Sequence, residues 1–357
     1  MIRRDKDFDQ RLKSHRTSMT VDRLLQTTIL GVGFSFILML LTSCTAKPSG
    51  LTALSPDPVT ISSLQPITDT PDDAVPLLAY YYIWFDAQSW DRAKTDYPLL
   101  GRYSSDNADV MRQHIQWAKS AGIDGFIVSW KGTEKLNHRL DQLVKIAEEE
   151  DFKLAIIYES LDFDRDPLPP EQVDADLNYF VQQYANHAVF DLLKRPMVIW
   201  SGTWKYSSDE VKNITETKRN KILILASEKN VEGYQRLSDF VDGDAYYWSS
   251  VNPDTHPGHL DKLAAMGKTI HKNGGIWIAP AAPGFDARLV GGTSVVERKN
   301  GQTLRTELDT ALQSLPDAIG LISWNEFSEN SHIEPSQNYG DLYLKVLGET
   351  RLVLPTP

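Results

Sequence analysis

From Leu77 onward, short apolar runs bounded by polar or glycine residues alternate with longer stretches whose apolar positions recur every three to four residues. The short runs, rich in Ile, Val, Leu and aromatic residues, read as buried strands, and the longer period reads as amphipathic helix. The pattern predicts strands at Leu78–Trp84, Gly125–Trp130, Lys153–Glu159, Pro196–Trp200, Lys221–Ala226, Gly243–Trp248, Gly275–Pro280 and Ile319–Trp324. It predicts helices at Asp109–Ser120, Leu136–Glu150, Glu171–His187, Ser208–Lys218, Leu260–Lys272 and Thr303–Gln313, with a weaker piece at Val231–Phe240. Gly122 and the pair Gly274-Gly275 stand where helix C-caps belong. Eight strands alternating with helices over roughly 275 residues is the expectation for a (β/α)8 barrel of the TIM type, a single α/β domain. An open doubly wound sheet is the alternative, and the lack of a Gly-x-Gly-x-x-Gly turn after the first strand counts against it.

The chain ahead of Leu77 follows other rules. Residues 24–41 carry no charge and follow a segment rich in Arg and Lys, a basic n-region before an apolar h-region. The run closes on Leu41-Thr-Ser-Cys44, which resembles the lipobox of bacterial lipoprotein signal peptides. That resemblance implies lipidation of Cys44, which becomes the mature N-terminus. An uncleaved membrane anchor stays open, because the apolar run nearly spans a bilayer; so does a start at Met19 instead of Met1. Either way the remainder is exported and tethered to the cell membrane or outer membrane. Residues 45–75 are rich in Pro, Ser and Thr, with little to bury, and read as a flexible stalk. The expected division is therefore 1–43 targeting segment, 44–76 linker and 77–357 catalytic domain.

Composition removes several function classes. The 357 residues carry a net charge of −11, and no basic block interrupts the globular part, so nucleic acid is not an expected partner. The single cysteine permits no disulfide within the chain and no zinc-ligand pattern. His256-Pro-Gly-His259 is the closest histidine pair, and its Pro and Gly argue for a turn over a metal-binding helix face. Neither metal nor cofactor is expected, and the domain is read as a monomer.

The chemistry concentrates at strand ends, where barrel enzymes build their sites. Ile319-Gly-Leu-Ile-Ser-Trp-Asn-Glu-Phe-Ser-Glu329 ends a strand in Trp324 and Asn325, then places Glu326 and Glu329 three apart, on one face if the backbone turns helically. Two acids so placed suit glycosidic bond cleavage, in which one carboxyl donates a proton and another stays charged. The plainer reading is a pair of acids at a helix N-terminus. Trp84, Trp130, Trp200, Trp248 and Trp324 each close an expected strand. Indole faces stack on the apolar faces of sugars, so five on one rim predict a carbohydrate cleft, with core packing as the alternative. Tyr82, Glu159 and Tyr247 sit near the ends of the first, third and sixth strands; a buried acid there needs a partner, and an arginine would make Glu159 merely structural.

The block Tyr97-Pro-Leu-Leu-Gly-Arg-Tyr-Ser-Ser-Asp106, the stretch from Met111 to Trp130, Pro280-Ala-Ala-Pro-Gly-Phe285, Asn300-Gly-Gln302, Ser323-Trp-Asn-Glu-Phe-Ser-Glu329 and Ile333-Glu334 together resemble the endo-α-mannosidases of glycoside hydrolase family 99. The similarity covers essentially all of 77–345, and the last motif is its most specific part. It implies Glu326 as base on the sugar 2-hydroxyl and Glu329 as acid on the leaving oxygen, with retention through a 1,2-anhydro sugar. It also implies that Tyr82, Trp84, Glu159, Tyr247 and Asn325 line the sugar site. The loop Phe85–Asp96 lacks the family's His-Trp-Asn-His segment, and Glu329-Asn-Ser replaces Glu-Gly-Thr, so the sugars beside the cut are read differently. Three readings remain: an endo-acting hydrolase of an α-linked glycan, an α-1,3-glucanase-like enzyme on the same barrel, and a catalytically silent sugar-binding lipoprotein. Retention of both glutamates speaks against the last.

Overall fold

The computed structural model describes residues 74–248 and 251–353. Cys44, the apolar segment 24–41 and most of the expected linker lie outside the described residues. Eight parallel strands close into a barrel: β1 (Leu77–Tyr82), β2 (Gly125–Trp130), β3 (Lys153–Glu159), β4 (Met197–Ser201), β5 (Leu223–Ala226), β6 (Gly243–Ala245), β7 (Ile276–Ala281) and β8 (Ala318–Leu321). Each strand pairs with its sequence neighbours, and β1 closes on β8 through Leu77↔Ile319 to Ala79↔Leu321. The helices between them are α1 (Ala108–Ser120), α2 (Glu134–Glu149), α3 (Pro170–Gln183), α4 (Ser208–Thr215), α5 (Val231–Leu237), α6 (His259–Lys272) and α7 (Gln302–Gln313), and α8 (Leu342–Val353) follows the last strand.

Local chemistry explains these boundaries. Asn107 starts α1, its Oδ1 accepting from the Asp109 and Val110 amides at 2.9 and 3.4 Å. Gly122 ends it at φ +75, with the Ile123 amide reaching back to the Ala118 carbonyl at 3.0 Å. Gly274 does the same for α6 at φ +71, and the Gly275 amide bonds Ile270 O at 3.0 Å. Ser207 and Glu210 cap α4 reciprocally.

Two cores follow from the alternation of side chains along each strand. Leu78, Tyr80, Ile127, Ala155, Ile157, Met197, Ile199, Leu225 and Ile278 fill the barrel interior. The residues one position away, among them Phe126, Val128, Ile156, Val198 and Trp277, face the helices in a larger layer. Gly320 keeps the interior open for a large ring: a Cβ there would stand 2.9 Å from Cε2 of Tyr80.

The first, sixth and eighth strands end earlier than the sequence suggests, at Tyr82, Ala245 and Leu321 instead of Trp84, Trp248 and Trp324. Their last residues leave the ladder to build the rim. Ser323 N donates to Ser331 O at 2.7 Å, so the chain past β8 folds back on itself. Helix α8 and a short antiparallel hairpin pairing Phe285–Asp286 with Val295–Val296 were not anticipated. Among the described residues no helix is long and apolar enough to cross a membrane.

Candidate active site

The rule of alternation sorts the strand-end residues into two groups. Tyr82 shares the side of Leu78 and Tyr80, Ser129 that of Ile127, and Glu159 that of Ala155 and Ile157. All three therefore point into the barrel at its carboxyl end, and Tyr247 packs against the same interior. Trp130 and Trp200 have the opposite parity and turn outward, and Trp324 joins the same helix-side layer. All three are fully buried, at 0% exposure. The Trp130 indole N–H donates to Asn137 Oδ1 on α2 at 2.9 Å, Trp200 packs on Tyr206, and Trp324 lies against Phe126 and His114. The expectation that these three stack sugars is corrected: they are core residues. Trp84 and Trp248 alone of the five are open, at 42% and 40% exposure. Trp84 lies on the Tyr82 ring, centroids 4.3 Å apart, and Trp248 lies parallel to Tyr246 at 6.4 Å.

The two glutamates sit on the segment after β8. No helix forms there; residues 327–330 make a turn that closes on Asn330 at φ +51, with Ser331 N donating to Glu326 O at 3.3 Å. Glu326 N donates to Ser323 Oγ at 2.9 Å, and the Asp286 amide of the hairpin holds the Glu329 carbonyl at 2.7 Å. Arg298 locks the far side of the turn. Its guanidinium donates to the His332 carbonyl and to Asn330 Oδ1 at 3.1 Å, over the rings of Tyr339 and Tyr343.

Burial raises the pKa of both carboxyls. Glu326 is pushed up to about 8, first by desolvation and then by the charge of Glu329; the Ser328 amide (3.1 Å) and Lys94 oppose the rise. Glu329 also rises by desolvation, opposed by Arg165. Both carboxyls are thereby held toward their protonated form. The Ser328 amide and the partly buried Lys94 do not make up for the water that Glu326 has lost.

Glu159 rises for the same reason, held back by Ser129 Oγ, which donates to it at 3.0 Å, and by Lys131 and Arg165. Arg165 thus acts on Glu159 and Glu329 together without a short ion pair to either, so the simple structural reading of Glu159 does not hold. Tyr82 and Tyr247 share a hydroxyl–hydroxyl hydrogen bond. Both are held well above their ordinary range, by burial first; Glu159 and Glu326 act on both rings, and Glu329 on Tyr247. Three carboxyls and two phenols thus face one space.

Asn325 is corrected from a sugar contact to a positioning residue. It is fully buried; its Oδ1 accepts from Tyr82 N and its Nδ2 donates to Tyr82 O, both at 2.9 Å. This clasp joins the end of β8 to the end of β1. Behind it, Tyr103 OH bonds Glu334 Oε2 at 2.8 Å, and His114 links Glu334 Oε1 to Tyr81 OH, each at 3.1 Å. Sequence reasoning did not find Ser129, Lys94, Lys131 or Arg165. Ser129 could have been found from its parity with Ile127. The three cations lie on loops with no periodic signal. Among the described residues no group of three or more His, Cys, Asp or Glu could hold a metal ion.

A closed parallel barrel with paired acids after its last strand and inward tyrosines and a third acid on the same rim defines the class. The sequence profile of glycosyl hydrolase family 99 matches residues 85–341. The chain belongs to that family. It is 24% identical over 284 residues to a mouse glycoprotein endo-alpha-1,2-mannosidase, covering 71% of this chain and 60% of that protein. A human endo-alpha-1,2-mannosidase-like protein is 22% identical over 285 residues, covering 72% and 61%. The chain thus spans about 60% of the length of these curated relatives. A family 99 endo-alpha-mannosidase structure from Bacteroides thetaiotaomicron superposes with a TM-score of 0.67 at 18% identity, covering 77% of this chain and 96% of that one. A structure described as a glycoside hydrolase-like protein superposes at 0.60 and 17% identity, covering 81% and 97%.

Proposed function

We propose that the chain is a glycoside hydrolase that cuts internal α-linked bonds of a mannose-containing glycan with retention of configuration. The observation that carries the reading is the pair Glu326 and Glu329 on one half-buried turn, both with raised pKa, facing Glu159 and the Tyr82–Tyr247 pair. Glu326 takes the proton of the sugar 2-hydroxyl as O2 attacks C1, and Glu329 protonates the departing oxygen. Water then opens the 1,2-anhydro ring at C1, giving its proton to Glu329, while Glu326 returns a proton to O2. The base must be ionised for the first step. A 2-hydroxyl donating to Glu326 favours its charged form. The mannose preference is supported by the mammalian relatives and the bacterial neighbour described above.

Export and tethering through Cys44 belong to the same proposal. Cys44→Ser should release the protein from the membrane fraction with its barrel folded; retention of the variant there would favour an uncleaved anchor. The catalytic reading is tested by incubating the protein with α-mannan and α-glucan oligosaccharides and following the first-formed product anomer by NMR. Internal cleavage of the mannan with the α anomer appearing first is expected. Initial release of the β anomer, or cleavage of α-glucan alone, overturns the reading.

A further inference from the structure

The rim between β3 and β6 carries charge that the reaction above does not use. The hairpin after β3, closed by the Leu161↔Pro167 bridge, bears Arg165 and an exposed Phe163. The turn after β4, Thr203–Lys205, bears Trp204 and Lys205; Lys229 follows β5; Lys262 is in the first turns of α6. Lys229 Nζ stands 4.1 Å from the Trp204 ring centroid, and Lys262 Nζ stands 4.1 Å from that of Tyr246, donating to its hydroxyl at 2.7 Å. Among the described residues none of the four cations makes an ion pair. Glu228, beside Lys229, is committed to Arg236 at 3.1 Å, and Asp162 Oδ1 is committed to amides of its own hairpin.

A stem lying on an aromatic face is ordinary packing for one lysine. It does not explain why four unpaired cations gather in a chain of net charge −11. Burial lowers the pKa of Lys229 first and Arg165 adds to it; Glu228 opposes the fall, and Lys205 makes the smallest contribution to it; Lys262 is lowered by burial and then by Lys229. These like charges work against one another and would be relieved by an anion between them. Arg165 joins this group to the cleft, because it also acts on Glu329 and Glu159.

We infer that the β3–β6 rim, built from Arg165, Lys205, Lys229 and Lys262, is a subsite for an anionic substituent on the glycan. The inference rests on the reading of the cleft as a glycan site and adds the charge class of its ligand. Phosphate and sulfate esters and uronate carboxylates share the recognised chemistry; the fork of Arg165 suits all three.

The test is calorimetric titration of the full chain, as wild type and as Lys229→Gln/Lys262→Gln, with α-mannotetraose and its monophosphate, monosulfate and uronate forms. Hydrolysis of each is followed in parallel. At least one anionic form should bind about tenfold tighter than the neutral one at low salt, converging near 0.5 M NaCl as screening sets in. The double variant should reduce that ratio by roughly fivefold or more, and the three anionic arms identify the source of the charge. Equal binding of neutral and anionic forms, no binding of any, or a preference untouched by the double substitution overturns the inference. Hydrolysis of neutral mannan without any anionic preference removes the subsite and leaves the hydrolase reading standing. Anionic preference without hydrolysis does the reverse.

Discussion

Two sets of aromatic residues lie at the carboxyl ends of the strands, and they live in different surroundings. Trp130 ends β2 and Trp200 is the penultimate residue of β4, both facing the helices and wholly buried, while Tyr82 and Tyr247 face the barrel axis with Glu159, Glu326 and Glu329. Parity along the strand sets which way each ring points. A rim of tryptophans looks like a sugar cleft when strand ends are taken as equivalent, and becomes a packing layer once inward and outward positions are told apart.

The largest expected effect falls on the inward set. Glu326→Gln should lower kcat on oligosaccharide by about 10²-fold or more, the scale of general acid–base catalysis, measured by reducing-end release. The same change should stabilise the fold. Glu326 ionises near 4.5 when unfolded and near 8 when folded, so its burial costs stability progressively as pH rises through that window. The melting advantage of Glu326→Gln should accordingly be small at pH 4 and several degrees at pH 9. An advantage that shrinks with pH would contradict the assigned direction.

The outward set should respond in stability. Trp130→Ala or Trp200→Ala removes a buried indole and should cost about 3–5 kcal/mol in urea denaturation. If either instead weakens oligosaccharide binding with the fold intact, the division by parity fails.

An intermediate case is the clasp behind the site. Asn325→Ala should lower kcat more than it changes KM, because it frees the end of β1 and leaves both glutamates present; roughly tenfold is expected from a slight misplacement. A pH profile of kcat/KM identical in shape to wild type, with only the melting temperature changed, would mark the clasp as purely structural. The smallest effect should come from the two open tryptophans. Trp84→Ala or Trp248→Ala should weaken binding by about 1 kcal/mol, a several-fold change in Kd, with stability nearly unchanged. Comparing Trp84→Ala with Trp130→Ala in one assay pair sharpens the division most economically.

Much of this architecture was legible in the chain. The apolar runs found all eight strands, with β2 and β3 correct at both ends, and Gly122 and Gly274 marked true helix ends, because strand burial and helix capping are local. The acid pair was legible too, since Glu326 and Glu329 lie on one short segment. What failed was the sense of direction at the rim, where one position separates Ser129 from Trp130 and reverses their fates. Arg165 and Lys94 were hidden for a different reason: loops bring them to the glutamates across long sequence separations, and no periodicity encodes that. Asn325 was assigned to the sugar because an amide beside two acids suggests recognition, whereas the Tyr82 backbone uses its hydrogen-bonding groups.

The central claim is that Glu326 and Glu329 divide the chemistry, one as base to the sugar's own hydroxyl and the other as acid to the leaving oxygen. It is tested most directly by single-turnover rates of Glu326→Gln and Glu329→Gln on an activated aryl α-mannoside whose departing group needs no proton. The account predicts that Glu329→Gln keeps substantial turnover on this substrate, while Glu326→Gln stays about 10²-fold or more below wild type because O2 still requires its base. The opposite order, with Glu326→Gln rescued and Glu329→Gln not, would exchange the two roles and contradict the account.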